Sequence, residues 1–449
     1  MSAMSADLGI DRSKVGTRLF PAVFFLAPLL TAAVPRLTPL FLPLIGMALI
    51  VAAIRRGASW RGLLQPSAAL AMCLLFSLYV FLNATWALDQ GEAFGKAAVL
   101  LGAILIAFAG SAAAATLDER QLRQAALAFV AGAAIGALYL LLELLTGGAI
   151  ARAVKSYITF LRPESAKHLR ITNGKVTGTS LSEFNQNATL VMLHLWPGLL
   201  ILSALAGLAR RALVIIVFFL ALAVPIALSM HDSSQIALIA SLLVLLLAWH
   251  WRGPMIRSLA LLWCLGFALI LPLDFLAYKA ELHMAEWLPN SARARIIIWQ
   301  YTAERTLEQP WLGIGADSTR VLRDEEKRTS KAEQPEGFVF KRSTGQHAHD
   351  VFLQTWFELG FVGAILIAIA GAAVVLRIAL LPLKTQPFAV ATFAAFAVIA
   401  AFAWGMWQTW FMCAIGLMPL YLCVAAAAAS SQAKSAQKAR RAIVLSAAT

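Results

Sequence analysis

Charge is scarce in this chain: 13% of its 449 residues are Asp, Glu, Lys or Arg, about half the usual share of a soluble domain. Cysteine is scarce too. Cys73, Cys264, Cys413 and Cys423 all lie inside apolar runs, so no disulfide framework is available to the loops, and these residues are expected to be small core hydrophobes. Neither an HExxH nor a CxxC pattern occurs, and no metal site and no cofactor are expected. Repeats of 20–50 residues are missing, which excludes solenoids and propellers. Low complexity is confined to the alanine run near Ala425–Ala429.

What the chain has instead is apolar length. Residues of the apolar class make up 60% of it, against roughly half in soluble domains. They gather into runs near 19–34, 38–54, 68–88, 95–115, 125–145, 189–209, 212–230, 234–250, 258–277, 351–376, 387–404 and 411–429. Each is long enough to cross about 30 Å of hydrocarbon as a helix. None shows the period-2 alternation of a barrel strand. Arg12, Lys14 and Arg18 precede a first run that leads straight into a second, as in a retained start-transfer helix and not a cleaved leader.

Lys and Arg in the short connections set the orientation. Arg55, Arg56, Arg61, Arg120, Arg123, Arg210, Arg211, Arg252, Arg257, Arg377 and Lys384 fall on one side with both termini, and Arg36 and Lys96 on the other. The expectation is an all-α polytopic membrane protein, a single integral membrane domain over residues 1–449, with about 12 transmembrane helices and cytoplasmic ends. Two long loops then lie outside, 148–188 and 278–349, the larger between helices 9 and 10. Long translocated loops are exempt from the charge rule.

Those loops hold the chemistry. The first carries Arg152, Lys155, Arg162, Lys167, Arg170 and Lys175 against Glu164 and Glu183. Such a loop is either simply solvated and in contact with anionic headgroups, or a cradle for phosphate, which arginine's fork suits. The second is nearly charge-balanced, with Arg293 and Arg295 set apart from the acidic run Asp324-Glu325-Glu326. Ser291 to Trp299 is predicted to start a helix capped by Asn290 or Ser291, with Arg295 and Trp299 on one face. That helix is expected to end around Gln309-Pro310. Trp311-Leu312-Gly313-Ile314-Gly315 then makes a glycine turn, either structural or phosphate-binding. Gln346-His347-Ala348-His349-Asp350 follows, with His349 placed to cap the next span. Glu358, the eighth residue of that span, is a functional candidate or a tie to a neighbouring helix. Glu143 and Asp274 lie near external span ends, and Asp232 in a short external turn is a further candidate to line the cavity.

Three segments resemble a known family. His349-Asp350, nine residues, then Gly360-Phe361-Val362-Gly363 is similar to the histidine–glycine signature of the O-antigen ligase and polymerase superfamily. Arg295…Trp299…Pro310-Trp311-Leu312-Gly313-Ile314-Gly315 resembles its arginine–tryptophan–glycine segment. Lys175-Val176-Thr177-Gly178-Thr179 with Asn185 and Asn187 resembles the stretch before its middle helices. Asp350 stands where the family commonly has Asn, Ser or Gln, Ala364 follows the second glycine in place of a hydroxylated residue, Lys175 replaces an arginine, and a Ser-Arg pair reads Ser234-Gln235.

Within the superfamily the resemblance leans to the ligase branch. It implies a metal-independent inverting glycosyltransferase that moves O-polysaccharide from undecaprenyl pyrophosphate to lipid A–core oligosaccharide, at the periplasmic face of the bacterial inner membrane. His349 is the expected base and Arg295 its catalytic partner. Arg170, Lys175, Arg293, Asn187 and His347 are expected to bind pyrophosphate or glycan. Partners are the lipid-linked donor, the acceptor and membrane lipids, not nucleic acid. The polymerase and protein O-oligosaccharyltransferase branches share the signatures. A transporter for an anionic solute is the alternative of another class, and it predicts charges deep in several helices.

Overall fold

The computed structural model describes residues 12–159, 169–204, 211–329 and 342–447. In chain order the helices are α1 (Arg12–Ala33), α2 (Thr38–Arg55), α3 (Trp60–Leu63), α4 (Ala68–Asn83), α5 (Gln90–Ala114), α6 (Glu119–Leu145) and α7 (Ala149–Tyr157). A hairpin of β1 (Leu169–Thr172) and β2 (Lys175–Thr179) follows. Then come α8 (Asn185–Ala204), α9 (Arg211–Leu228), α10 (Asp232–His250), α11 (Arg252–Lys279), α12 (Asn290–Thr306), α13 (Ser318–Thr329), α14 (Val351–Leu376), α15 (Gln386–Phe402) and α16 (Thr409–Ala447).

Among the described residues, ten helices are long and apolar enough to cross a membrane. Two shorter apolar helices, Leu19–Ala33 and Gln386–Phe402, stand where the hydropathy places the first and eleventh spans. The protein is an all-α polytopic membrane protein. Lipid offers no partner to a peptide group, so helices that satisfy themselves internally are the economical solution for this composition.

The chain divides into two compact units. One holds residues 1–63, 109–231 and 418–449. Its centre is α8, with Leu190, Met192, Leu195 and Trp196 fully buried. Here α1 lies along α6, where Gly132 and Gly136 meet Phe25 and Pro28, a close approach of small residues of the kind that packs helices in lipid.

The other unit holds residues 64–108 and 232–417. Trp263 of α11 sits in an aromatic cluster with Phe267, Phe352, Phe393 and Phe396. Its indole N–H donates to Ile367 O at 3.3 Å. α14 is two helices end to end, broken at Gly360 (φ 66°, ψ −169°). The Pro310–Gly315 segment fills the break. Ile314 N and Gly315 N donate to Phe357 O and Glu358 O at 3.1 and 2.9 Å, and Phe361 N and Val362 N donate to Pro310 O and Trp311 O at 2.8 and 3.3 Å. Tyr79 Oη takes Leu359 O at 2.7 Å, and Asn83 Nδ2 takes Leu312 O at 2.9 Å. Irregular backbone at membrane depth survives only when protein groups replace the missing helix bonds.

Candidate active site

The two histidines stand at the entrance to α14. Asp350, not His349, caps that helix: its carboxylate accepts Leu353 N at 3.0 Å. Asp is as good a cap as Asn or Ser, so the departure at this position keeps the local structure. Burial pushes the Asp350 carboxyl up to about 7, against the amides that favour its charge. His349 is one residue outside the helix and left-handed (φ 55°), a conformation costing a non-glycine residue on the order of 1 kcal/mol.

Four contacts hold it there. Its amide donates to His347 Nδ1 at 3.2 Å. Its own Nδ1 lies 2.8 Å from Ala403 O. The Trp299 indole donates to Ala348 O, between the two histidines, at 2.7 Å. The two imidazoles tilt against each other with centroids 4.0 Å apart.

The Ala403 contact fixes a tautomer. A carbonyl only accepts, so Nδ1 of His349 carries the proton and Nε2 keeps a bare lone pair. His347 Nδ1 accepts the His349 amide, and the Gln408 side-chain amide nitrogen lies 3.1 Å from its Nε2. Burial, then the charge of Arg295, holds His349 down at about 4, with the Ala403 carbonyl working the other way. His347 is held well below the usual imidazole range by burial, then by His349, Arg295 and Arg323. Both rings are neutral near pH 7. Burial also lowers the Arg295 guanidinium, countered by Asp232, which starts α10.

Four of the expected site residues fall in this unit. Arg295, His347 and His349 act on one another electrostatically. Arg293 turns to brace the loop before α12, its Nε donating to His283 O at 2.8 Å. Neither Asn290 nor Ser291 caps α12; Pro289 precedes it and no side chain caps it. The helix ends at Thr306, shorter than its pattern suggests, and a run of tight turns covers Leu307 to Gln309.

The glycine turn is structural. Among the backbone amides from Gly313 to Thr319, those of residues 313–318 donate to Gln309 O, Phe357 O, Glu358 O, Asn83 Oδ1, a Glu358 oxygen and Gly315 O, and that of Thr319 to Glu358. These amides are committed inside the protein, where a phosphate nest needs them free. Glu358 is likewise a tie. Fully buried, it accepts from the Thr319 amide and hydroxyl, from Asp317 N and from the Trp407 indole.

The other three expected residues belong to the first unit. Arg170 pairs with Gly178 across the hairpin, and both Arg170 and Lys175 are exposed. Asn187 is buried in α8, its amide donating to Ala32 O and Ala33 O at 2.8 and 2.9 Å. That role is a helix tie.

Sequence reasoning missed the turn between α15 and α16, where Ala403 and Gln408 hold the histidines and Gly405 lies against the His347 ring. It carries no catalytic residue type. It also missed Arg323, whose charge reaches His347, because the acidic run beside it disguises it. Residues 330–341 of the long loop lie outside the described residues.

Residues 215–368 match the model of the O-antigen ligase family. Members are glycosyltransferase-like enzymes of the O-antigen pathway. The O-antigen ligase match contains Arg293, Arg295, His347, His349 and the break in α14 at Gly360, and leaves out Arg170, Lys175 and Asn187. No curated protein matches the chain.

Proposed function

We propose that the protein is an O-antigen ligase: a metal-independent, inverting glycosyltransferase of the bacterial inner membrane, with its site on the periplasmic face. It moves O-polysaccharide from undecaprenyl pyrophosphate to lipid A–core. The observation that carries this reading is the pinned tautomer of His349 beside Arg295. The acceptor hydroxyl attacks the anomeric carbon of the donor. Its proton passes to His349 Nε2, the bond from that carbon to the pyrophosphate oxygen breaks, and undecaprenyl pyrophosphate leaves. A positioned base contributes roughly 10²–10⁴-fold.

Arg295 holds the departing diphosphate through its fork, with Arg323 a second guanidinium on the same side of the chemistry. A diphosphate there sets negative charge beside His349, offsets the effect of Arg295 and raises the ring's proton affinity as the leaving group departs. Arg170 and Lys175, on the exposed hairpin, meet lipid phosphate at the membrane surface, and His347 lines the glycan path. Arg293 and Asn187 keep the scaffold.

Lipopolysaccharide from a deletion strain, run on a gel, tests the reading. Loss of the ladder with lipid-linked polymer accumulating is expected. A single repeat on the core would make the protein a polymerase instead, and an unchanged ladder would overturn both.

A further inference from the structure

Helix α7 is amphipathic with the wrong face out. Its inward face carries the polar side chains, and the protein satisfies them. Arg152 donates to Gly147 O. Lys155 pairs with Glu183 at 2.7 Å. Ser156 Oγ donates to Arg152 O at 2.7 Å and accepts Val176 N at 2.9 Å. Its outward face is Ile150, Ala153, Val154 and Tyr157, one stripe at helical spacing. Ile150, Val154 and Tyr157 are 42%, 38% and 83% exposed. Water selects the opposite arrangement.

The solvent on that face follows from where α7 begins. α6 is a membrane span ending at Leu145, itself 68% exposed. Thr146, Gly147 and Gly148 then turn the chain, both glycines left-handed (φ 61° and 81°). The carboxylate of Glu143, in the last turn of α6, accepts Ile150 N and Ala151 N at 3.2 and 2.7 Å. The intramembrane carboxylate therefore ties the start of α7 to the end of the span, at the membrane boundary. Nine residues reach only about 14 Å, too short to cross.

We propose that α7 lies in the headgroup–acyl boundary of the bilayer, with Ile150, Val154 and Tyr157 in lipid, as an interfacial anchor for the β1–β2 hairpin. Its polar face grips the hairpin through Val176 and the following turn through Glu183. The anchor holds Arg170 and Lys175 at the depth of lipid phosphates, a consequence that rests on the function proposed above. The anchor itself does not.

The test uses the full chain with its four cysteines replaced by serine or alanine, reconstituted in nanodiscs of phosphatidylethanolamine and phosphatidylglycerol. Single cysteines at Val154, at Tyr157 and at Asn173, on the exposed hairpin tip, are labelled with bimane. At 154 and 157, lipid bearing a doxyl group at carbon 5 should quench roughly twofold and aqueous iodide little, as for an interfacial helix. At 173 the order should reverse. Iodide quenching at 157 equal to that at 173 would make the face a wet one and overturn the proposal. Quenching by neither would mean that a protein surface, residues 160–168 or a second copy, covers it, and would overturn it too. Val154→Asp with Tyr157→Asp should raise KM for the lipid-linked donor several-fold with little change in kcat. If the quenching holds and KM does not move, the anchor stands and only the positioning of Arg170 and Lys175 falls.

Discussion

A single hydrogen bond decides what His349 can do. With Nδ1–H donated to Ala403 O, Nε2 keeps the lone pair that the proposed base uses, and replacing the side chain removes it. His349→Ala is expected to lose transfer by roughly 10²–10⁴-fold while still binding lipid-linked donor, because Arg295 is intact. His347→Ala should lose much less, since that ring spends its Nδ1 on the His349 amide. Transfer and donor binding by purified variants check this, and the reverse order would move the base to His347. The pH profile gives a second reading. Burial and Arg295 hold His349 at about 4, below the usual 6.5, so the neutral working form persists into acid. kcat/KM reports the free enzyme and should stay level from pH 7 to below pH 6, falling only as pH approaches the lowered value. An acid limb centred near pH 6.5 that persists in Asp350→Asn, which removes the neighbouring carboxyl held at about 7, would argue for an exposed, unperturbed imidazole.

At the level of elements, the site depends on a helix that is broken and mended. α14 leaves Asp350 as a capped helix, breaks at Gly360 and resumes, and the Pro310–Gly315 segment is pressed into the gap. A Cβ on Gly360 would stand 2.4 Å from Trp311 O at a φ of 66°, and one on Gly313 2.4 Å from the Glu358 carbonyl carbon. Gly360→Ala is therefore expected to destabilise by about 2 kcal/mol or more, with lower membrane levels and a lower Tm in detergent. Gly95→Ala, with nothing within 4 Å of the added carbon, should leave Tm unchanged or slightly raised. Equal melting of the two would mean that the break is not rigid. Glu358 belongs to the same repair: it locks Asp317 and Thr319 onto α14, which accounts for a carboxylate inside a span.

Across the whole molecule, orientation follows from where Lys and Arg sit in short loops. The loop 278–349 is expected in the periplasm. A cysteine at Glu308, an exposed position, should react with an impermeant maleimide in cells whose outer membrane alone is permeabilised. One at exposed Arg61 should react only after the inner membrane is lysed. The opposite pair of results would invert the topology and take His349 to the cytoplasmic face.

The sequence alone determined the architecture and singled out the residues proposed for the chemistry. Apolar length is a property of consecutive residues, so the spans could be read from the chain, and so could His349, Arg295 and the start of α12 near Ser291. Local pattern also foresaw a turn at Gly313 and Gly315, because glycine punctuates locally. What only the tertiary structure decided was the partner of each group. Ala403, more than fifty residues from His349, supplies a backbone carbonyl that any residue type provides. Arg323 was disguised by Asp324 beside it. Glu358 and the glycine turn offered two readings, and their hydrogen bonds chose the structural one. Asn187 became a tie to α1 for the same reason. Residue type and spacing specify which donors and acceptors exist, while long-range packing specifies which of them meet, and the chemistry of an imidazole depends on the second.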